Sequence, residues 1–184
     1  MHRLLLLPLA LVLMLAGSAF ALDGTKGVCG IPWGTQPTEL SGFTRLSTTP
    51  LLEFHKAPPE LELIEDVRAS EALFGFSEKG LYVVFFHPET ADGYNTAMDQ
   101  IMADYGNPRI KIEGDYKVYA WLEGDLKIKI KNNTVTGERK LAFYNQRMVP
   151  EERRAIFEEH ADTGSGFFPS TKGGQPAQAP LLKF

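Results

Sequence analysis

Lys127, Lys129 and Lys131 alternate with Leu126, Ile128 and Ile130. In an extended chain that period of two sends the three ammonium groups to one side of a strand and the three aliphatic groups to the other. Arg109 and Lys111 repeat the pattern with Ile110 and Ile112, and Tyr116 lies between the two stretches. Together Arg109, Lys111, Tyr116, Lys127, Lys129 and Lys131 define a candidate partner-binding face whose chemistry is attraction of an anionic group. The plain alternative is that lysines on an exposed strand solubilise it and discourage edge pairing. The charge is nevertheless uneven, because the chain as a whole carries 19 Lys and Arg against 23 Asp and Glu, a net charge of −4. That balance gives no global attraction to nucleic acid.

Other chemistry-bearing residues make no constellation. His55, His87 and His160 are far apart and Cys29 is alone, so neither a zinc knuckle nor a helical His-x-x-x-His pair exists. A single cysteine also excludes an intrachain disulfide, leaving Cys29 as an incidental residue or a reactive or intermolecular thiol. His87-Pro88-Glu89 ends an apolar run, which suits a turn into a helix or a site at the end of a sheet strand. No Gly-x-Ser-x-Gly elbow or phosphate-cradling loop is present. Acidic pairs such as Glu65-Asp66 and Glu158-Glu159 are too common here to single out a general acid. No catalytic residue, metal ligand or cofactor is assigned on this basis.

The elements that must position the basic face follow from periodicity. Residues 81–86, Leu-Tyr-Val-Val-Phe-Phe, are apolar on both alternating sides and predict a central strand covered on both faces. Tyr94, Ala97, Met98, Ile101, Met102 and Tyr105 then fall at helical spacing, with Thr90 or Asp92 to cap the start and Gly106 and Pro108 to end it. Strands are expected at 51–54, 61–67 and 72–76, the last joined to 81–86 by the turn Ser77-Glu78-Lys79-Gly80. Four more follow at 109–112, 116–122, 125–131 and 139–145, with short turns that make successive strands antiparallel neighbours. Two-residue turns would oppose Ile112 to Lys117, Trp121 to Leu126 and Tyr119 to Ile128. One face then collects Ile110, Ile112, Tyr119, Trp121, Leu126, Ile128 and Ile130 toward the core, and the cations take the other. A short helix is expected at 150–160. The fold class is α+β: an antiparallel β-meander with one principal helix packed on one face and a short C-terminal helix.

The ends have their own signals. A basic start, an apolar run over 4–16 and Ala19-Phe20-Ala21 read as a signal peptide over 1–21, too short to span a bilayer comfortably. A single domain is expected over 22–160, and 161–184, rich in Gly, Pro, Ser and Gln without periodicity, as a disordered tail. After signal removal no segment reaches membrane-span length. Trp33, between Pro32 and Gly34, is either a contact ring or an anchor pinning the N-terminal segment to the sheet, and the fixed turn favours the anchor.

The segment Pro32-Trp33-Gly34-Thr35, leading into a short helix over 35–40 capped by Thr35, resembles the opening of small bacterial exported proteins. The similarity continues through 81–86 and Tyr105-Gly106, about half of the mature chain, and implies a periplasmic or secreted location and a fold type rather than a reaction. Taken together, the sequence reads as a non-catalytic binding or assembly module of the bacterial cell envelope with an anionic envelope component or protein as partner. The alternatives are an envelope hydrolase with a carboxylate-based site and a proteinaceous enzyme inhibitor. A cleft with convergent carboxylates and His87 would favour the hydrolase.

Overall fold

The computed structural model describes residues 23–48, 52–64 and 66–149. The signal-like stretch 1–21, the expected helix 150–160 and the expected tail 161–184 lie outside the described residues. Within them the chain is mostly antiparallel sheet with one α-helix, an α+β arrangement. The strands are β1 (Gly27–Val28), β2 (Ile31–Pro32), β3 (Thr44–Thr48), β4 (Glu53–Lys56), β5 (Glu62–Ile64), β6 (Val67–Ser77) and β7 (Gly80–Pro88). The helix α1 (Ala91–Tyr105) follows, and then β8 (Arg109–Glu113), β9 (Tyr116–Glu123), β10 (Leu126–Asn133) and β11 (Arg139–Asn145).

The small β1–β2 hairpin stands apart, and the other nine strands form one sheet in the order β3-β4-β6-β7-β11-β10-β9-β8, with β5 pairing to β6. The helix explains that order. It takes the chain from β7, in the middle of the sheet, to β8 at one edge, and β9, β10 and β11 step back until β11 pairs with β7. Thr90 rather than Asp92 caps α1, its hydroxyl accepting from the Gly93 N–H at 3.0 Å. Tyr94, Ala97 and Ile101 are the buried residues of its stripe, whereas Met102 at the stripe's border is exposed. The indole of Trp121 donates to the carbonyl of Gly106 at 2.8 Å and fastens the helix end to β9.

β7 is buried on both sides, and the two sides belong to different cores. Leu81, Val84 and Phe86 join Phe74, Phe76, Ile128, Ile130, Leu141, Phe143 and the α1 stripe. Tyr82, Val83 and Phe85 join Leu73, Ala142, Tyr144, Leu52 and Val149 on the second face. Close packing on both faces makes this strand sensitive to a change of volume.

The Pro32-Trp33-Gly34-Thr35 segment is a clamp on the β6–β7 hairpin. The Trp33 indole donates to the carbonyl of Gly24 at 2.7 Å, and the ring packs against the first core. The Gly34 N–H donates to the Leu81 carbonyl at 3.0 Å, and the Leu81 N–H donates to the Thr35 carbonyl at 2.9 Å. Gly80 permits this approach: its φ is +92°, and a Cβ there would sit 2.1 Å from the Gly34 carbonyl oxygen. Only glycine satisfies both conditions without strain.

Several boundaries differ from the sequence expectation. The turn expected at 35–40 is a three-residue 3-10 helix, Pro37–Glu39, and Gln36, not Thr35, occupies its cap position. The Thr35 hydroxyl donates instead to the Pro32 carbonyl at 2.8 Å, while the Gln36 N–H donates to a Glu39 carboxylate oxygen at 2.6 Å. The stretch 61–67 is not one strand, because Asp66 takes a φ of 63° and separates β5 from β6. β4 lies two residues later than expected, and β6 is longer at 11 residues. β3 has no signal in the sequence, since Thr-Arg-Leu-Ser-Thr has no apolar alternation and stands at a sheet edge where none is required.

Candidate anion-binding surface

The cationic residues are brought to one side of the sheet by two tight hairpins. Between β8 and β9 the register opposes Ile112 to Lys117 and Lys111 to Val118, as the two-residue turn Gly114-Asp115 requires. Between β9 and β10 the turn is Gly124-Asp125 rather than Glu123-Gly124: Glu123 pairs with Leu126, and Gly124, with a φ of 56°, suits the first position of such a turn. Trp121 therefore opposes Ile128, Tyr119 opposes Ile130 and Lys129 opposes Ala120. The expected pairs of Trp121 with Leu126 and Tyr119 with Ile128 are displaced by two residues. A shift of two keeps every side chain on its side, so Arg109, Lys111, Lys127, Lys129 and Lys131 do share a face.

Sharing a face does not give them a common environment. Lys129 is only 2% exposed, flanked by Ala120 on β9 and Ala142 on β11. Burial, reinforced by Lys127 and Lys131, pulls its ammonium down to about 7. Burial also lowers the Lys127 and Lys131 ammonium groups, with Glu113 opposing the effect at Lys131. The ammonium of Lys131 lies 3.6 Å from Glu113 and 5.7 Å from the centre of the Tyr116 ring. Lys111 lies 3.9 Å from the same carboxylate. Lys111, Tyr116 and Lys131 thus belong to a cluster whose charge Glu113 partly cancels. Parity with Lys111 could have placed Glu113 on this face from sequence.

Arg109 and Lys127 differ from the rest. Neither enters an ion pair among the described residues, and both line a cleft of about 280 Å³ at the end of the β8–β10 strands. Asn107 and Gln146 contribute amides to it, Ala120 and Leu122 apolar surface, and Glu123 one carboxylate. Alternation of charge does not pick out Asn107, Leu122 and Gln146, because they lie at element ends and in a loop. Two cations and two amides around a small apolar patch can hold a compact anionic group, with the guanidinium available for a bidentate contact.

The core side of the expected face also needs correction. Ile110 and Ile112 are 56% and 65% exposed. β8 is the sheet's edge, and α1 supplies its cover to the central strands. The aliphatic groups of β8 therefore overhang that cover.

The remaining candidates are separate from the cleft. His55 is buried, 2.6 Å from the Glu53 carboxylate and edge-on to Phe76. His87 stands at the end of β7, its pKa lowered by burial and by nearby Lys140. Cys29 packs partly buried against the first core, and burial pushes its thiol up to about 12, which removes the thiolate that reactivity needs. Among the described residues no group of three or more His, Cys, Asp or Glu side chains is placed to hold a metal ion, and no helix is long and apolar enough to cross a membrane. Comparison with family models, with curated proteins and with solved structures finds no match to this chain.

Proposed function

We propose that the protein is a non-catalytic binding or assembly module of the bacterial cell envelope, periplasmic or secreted, that engages an anionic group of its partner through Arg109 and Lys127. The reading takes β8 to β11 as a meander that α1 covers on one face, with the cleft at its open end. The observation that supports it is the placement of these two cations, outside any described ion pair, on one small cleft. That cleft contains a single carboxylate and not His87, which favours binding over carboxylate-based hydrolysis. The envelope location rests on the signal-like residues 1–21.

The test is capture of envelope material by immobilised protein across a salt series. Wild type should release its partner as ionic strength rises, since the contact is partly exposed and screened over about 8 Å at physiological salt. The Arg109→Gln/Lys127→Gln variant should capture little at any salt concentration. Capture by the double variant equal to that by wild type at low salt would overturn the proposal.

A further inference from the structure

The edge strand β8 is unusual in its composition and exposure. Its residues Arg109 to Lys111 and Ile112 are exposed, and it pairs only on the β9 side. Across the two-residue turn Glu113 opposes Tyr116, the position of a hydrogen-bonded pair. The backbone groups of Arg109, Lys111 and Glu113 are therefore directed to β9. Those of Ile110 and Ile112 are directed outward, to the side where the sheet ends. The side chains divide the same way: isoleucines above the edge, and Arg109, Lys111 and Glu113 below it.

We propose that β8 is a self-complementary edge through which two copies of this chain pair, antiparallel, about a two-fold axis at Lys111. In that register Ile110 of each copy faces Ile112 of the other in a hydrogen-bonded pair, and the two outward backbone groups of each isoleucine are satisfied. Arg109 of each copy faces Glu113 of the other, so one ion-pair contact forms on either side of the axis. The single unfavourable contact is Lys111 against itself, and each Lys111 has Glu113 3.9 Å away to offset it. Sliding by two residues one way sets Arg109 against Lys111 twice. Sliding the other way sets Lys111 against Glu113 twice but leaves only 111–113 overlapping and puts Ile110 against the turn at Gly114, so there it is length and not charge that disfavours the register. Charge and length thus favour one register. Edge strands are commonly blunted by charge; here opposite charges at the two ends of the strand match when a second copy is reversed.

The consequence for the binding surface follows from symmetry. A two-fold axis perpendicular to a continuous sheet leaves the same face of both copies on the same side. The two clefts then open in one direction, each with Lys127 clear of the pairing and Arg109 drawn toward Glu113 of the other copy, so a polyanionic partner spanning both clefts competes with those two ion pairs. This inference goes beyond the anion-binding reading and can fail separately from it. Lys127 does not lie on the edge, so Lys127→Gln should weaken anion capture without altering pairing.

Sedimentation at rising protein concentration should show a weak monomer–dimer equilibrium, as a short edge contact implies. Ile112→Pro deletes one outward N–H and should leave a folded monomer, with the wild-type circular dichroism spectrum as the control. Register is read by disulfide formation. In a non-hydrogen-bonded pair the Cα atoms approach to about 4.5 Å, within disulfide reach, whereas Ile112 and its own copy lie about 8 Å apart. Lys111→Cys should therefore cross-link at least about tenfold faster than Ile112→Cys. It should also exceed Val135→Cys, an exposed loop position that reports random collision. A chain that stays monomeric at every concentration, a dimer unaffected by Ile112→Pro, or Lys111→Cys no faster than either control would each overturn the proposal.

Discussion

Replacing Lys129 by Met should stabilise the protein, and the gain should depend on pH in a defined direction. Lys129 is 2% exposed, and burial together with Lys127 and Lys131 lowers its pKa from 10.5 to about 7. In the unfolded chain the side chain keeps its proton up to about 10.4; in the folded chain it releases it near 7. Between those values the unfolded state binds more protons, so wild-type stability rises with pH by about 1.4 kcal/mol per unit on account of this residue. Over the whole window the effect is on the order of 5 kcal/mol, and at pH 7 about 4 kcal/mol of it is still unrecovered. Methionine has similar length, carries no charge and adapts to irregular packing. Lys129→Met should accordingly exceed wild type by roughly 4 kcal/mol at pH 7, with the margin shrinking toward zero near pH 10. Urea unfolding followed by the fluorescence of Trp33 and Trp121, from pH 6 to 10, measures the difference directly. Taking that difference cancels the tyrosines and other lysines that titrate in both proteins. A margin that does not change with pH, or a variant less stable than wild type throughout, would refute the reasoning.

Three further outcomes test the frame. Ile101→Ala, at a fully buried position of α1, should cost about 2–5 kcal/mol in denaturant titration; an unchanged midpoint would mean that the stripe does not hold the helix. Gly80→Ala sets a methyl against the Gly34 carbonyl oxygen at a φ of +92° and should cost about 3 kcal/mol or more. Hydrogen exchange at Leu81, whose N–H is bonded to Thr35, should quicken in step, and unaltered exchange would count against the clamp. Trp33→Phe keeps most of the ring but removes the donor to Gly24 and should lose on the order of 1 kcal/mol; no loss would show that packing alone anchors this segment.

What the chain discloses by itself divides along a physical line. The helix was legible because its stripe and end signals agree over 15 residues, and β7 because six consecutive apolar residues admit few other readings. β8 and β9 were legible in register because the only turn glycine between them is Gly114. Between β9 and β10 the same reasoning slipped, since Glu123, Gly124 and Asp125 admit two placements of a two-residue turn. The pairing of Glu123 with Leu126, a property of the folded backbone, decides between them. β3 was illegible because an edge strand with exposed side chains on both faces is under no pressure to alternate.

The cations share a side of the sheet but not an environment, and the burial of Lys129 and the exposure of Ile110 and Ile112 have one cause. A strand that is apolar on both sides, as β7 is, requires apolar neighbours on both sides as well. Leu73 on β6, with Ala142 and Tyr144 on β11, supplies them on the second face. That second core reaches as far as β10, where Lys129 sits beside Ala142 and is buried with it. At the opposite extreme the first core ends before β8, and Ile110 and Ile112, aliphatic though they are, stay exposed. Alternation states which way a side chain points; distance from the centre of the sheet states whether anything is there to cover it. Sequence carries the first and only the strand order β7-β11-β10-β9-β8 carries the second. Strand order sets Arg109 and Lys111 at the edge, and position along β10 separates the other three, leaving Lys129 inside, Lys131 and Lys111 clustered with Glu113, and Arg109 and Lys127 at the cleft. A partner that reads charge should therefore meet those last two first.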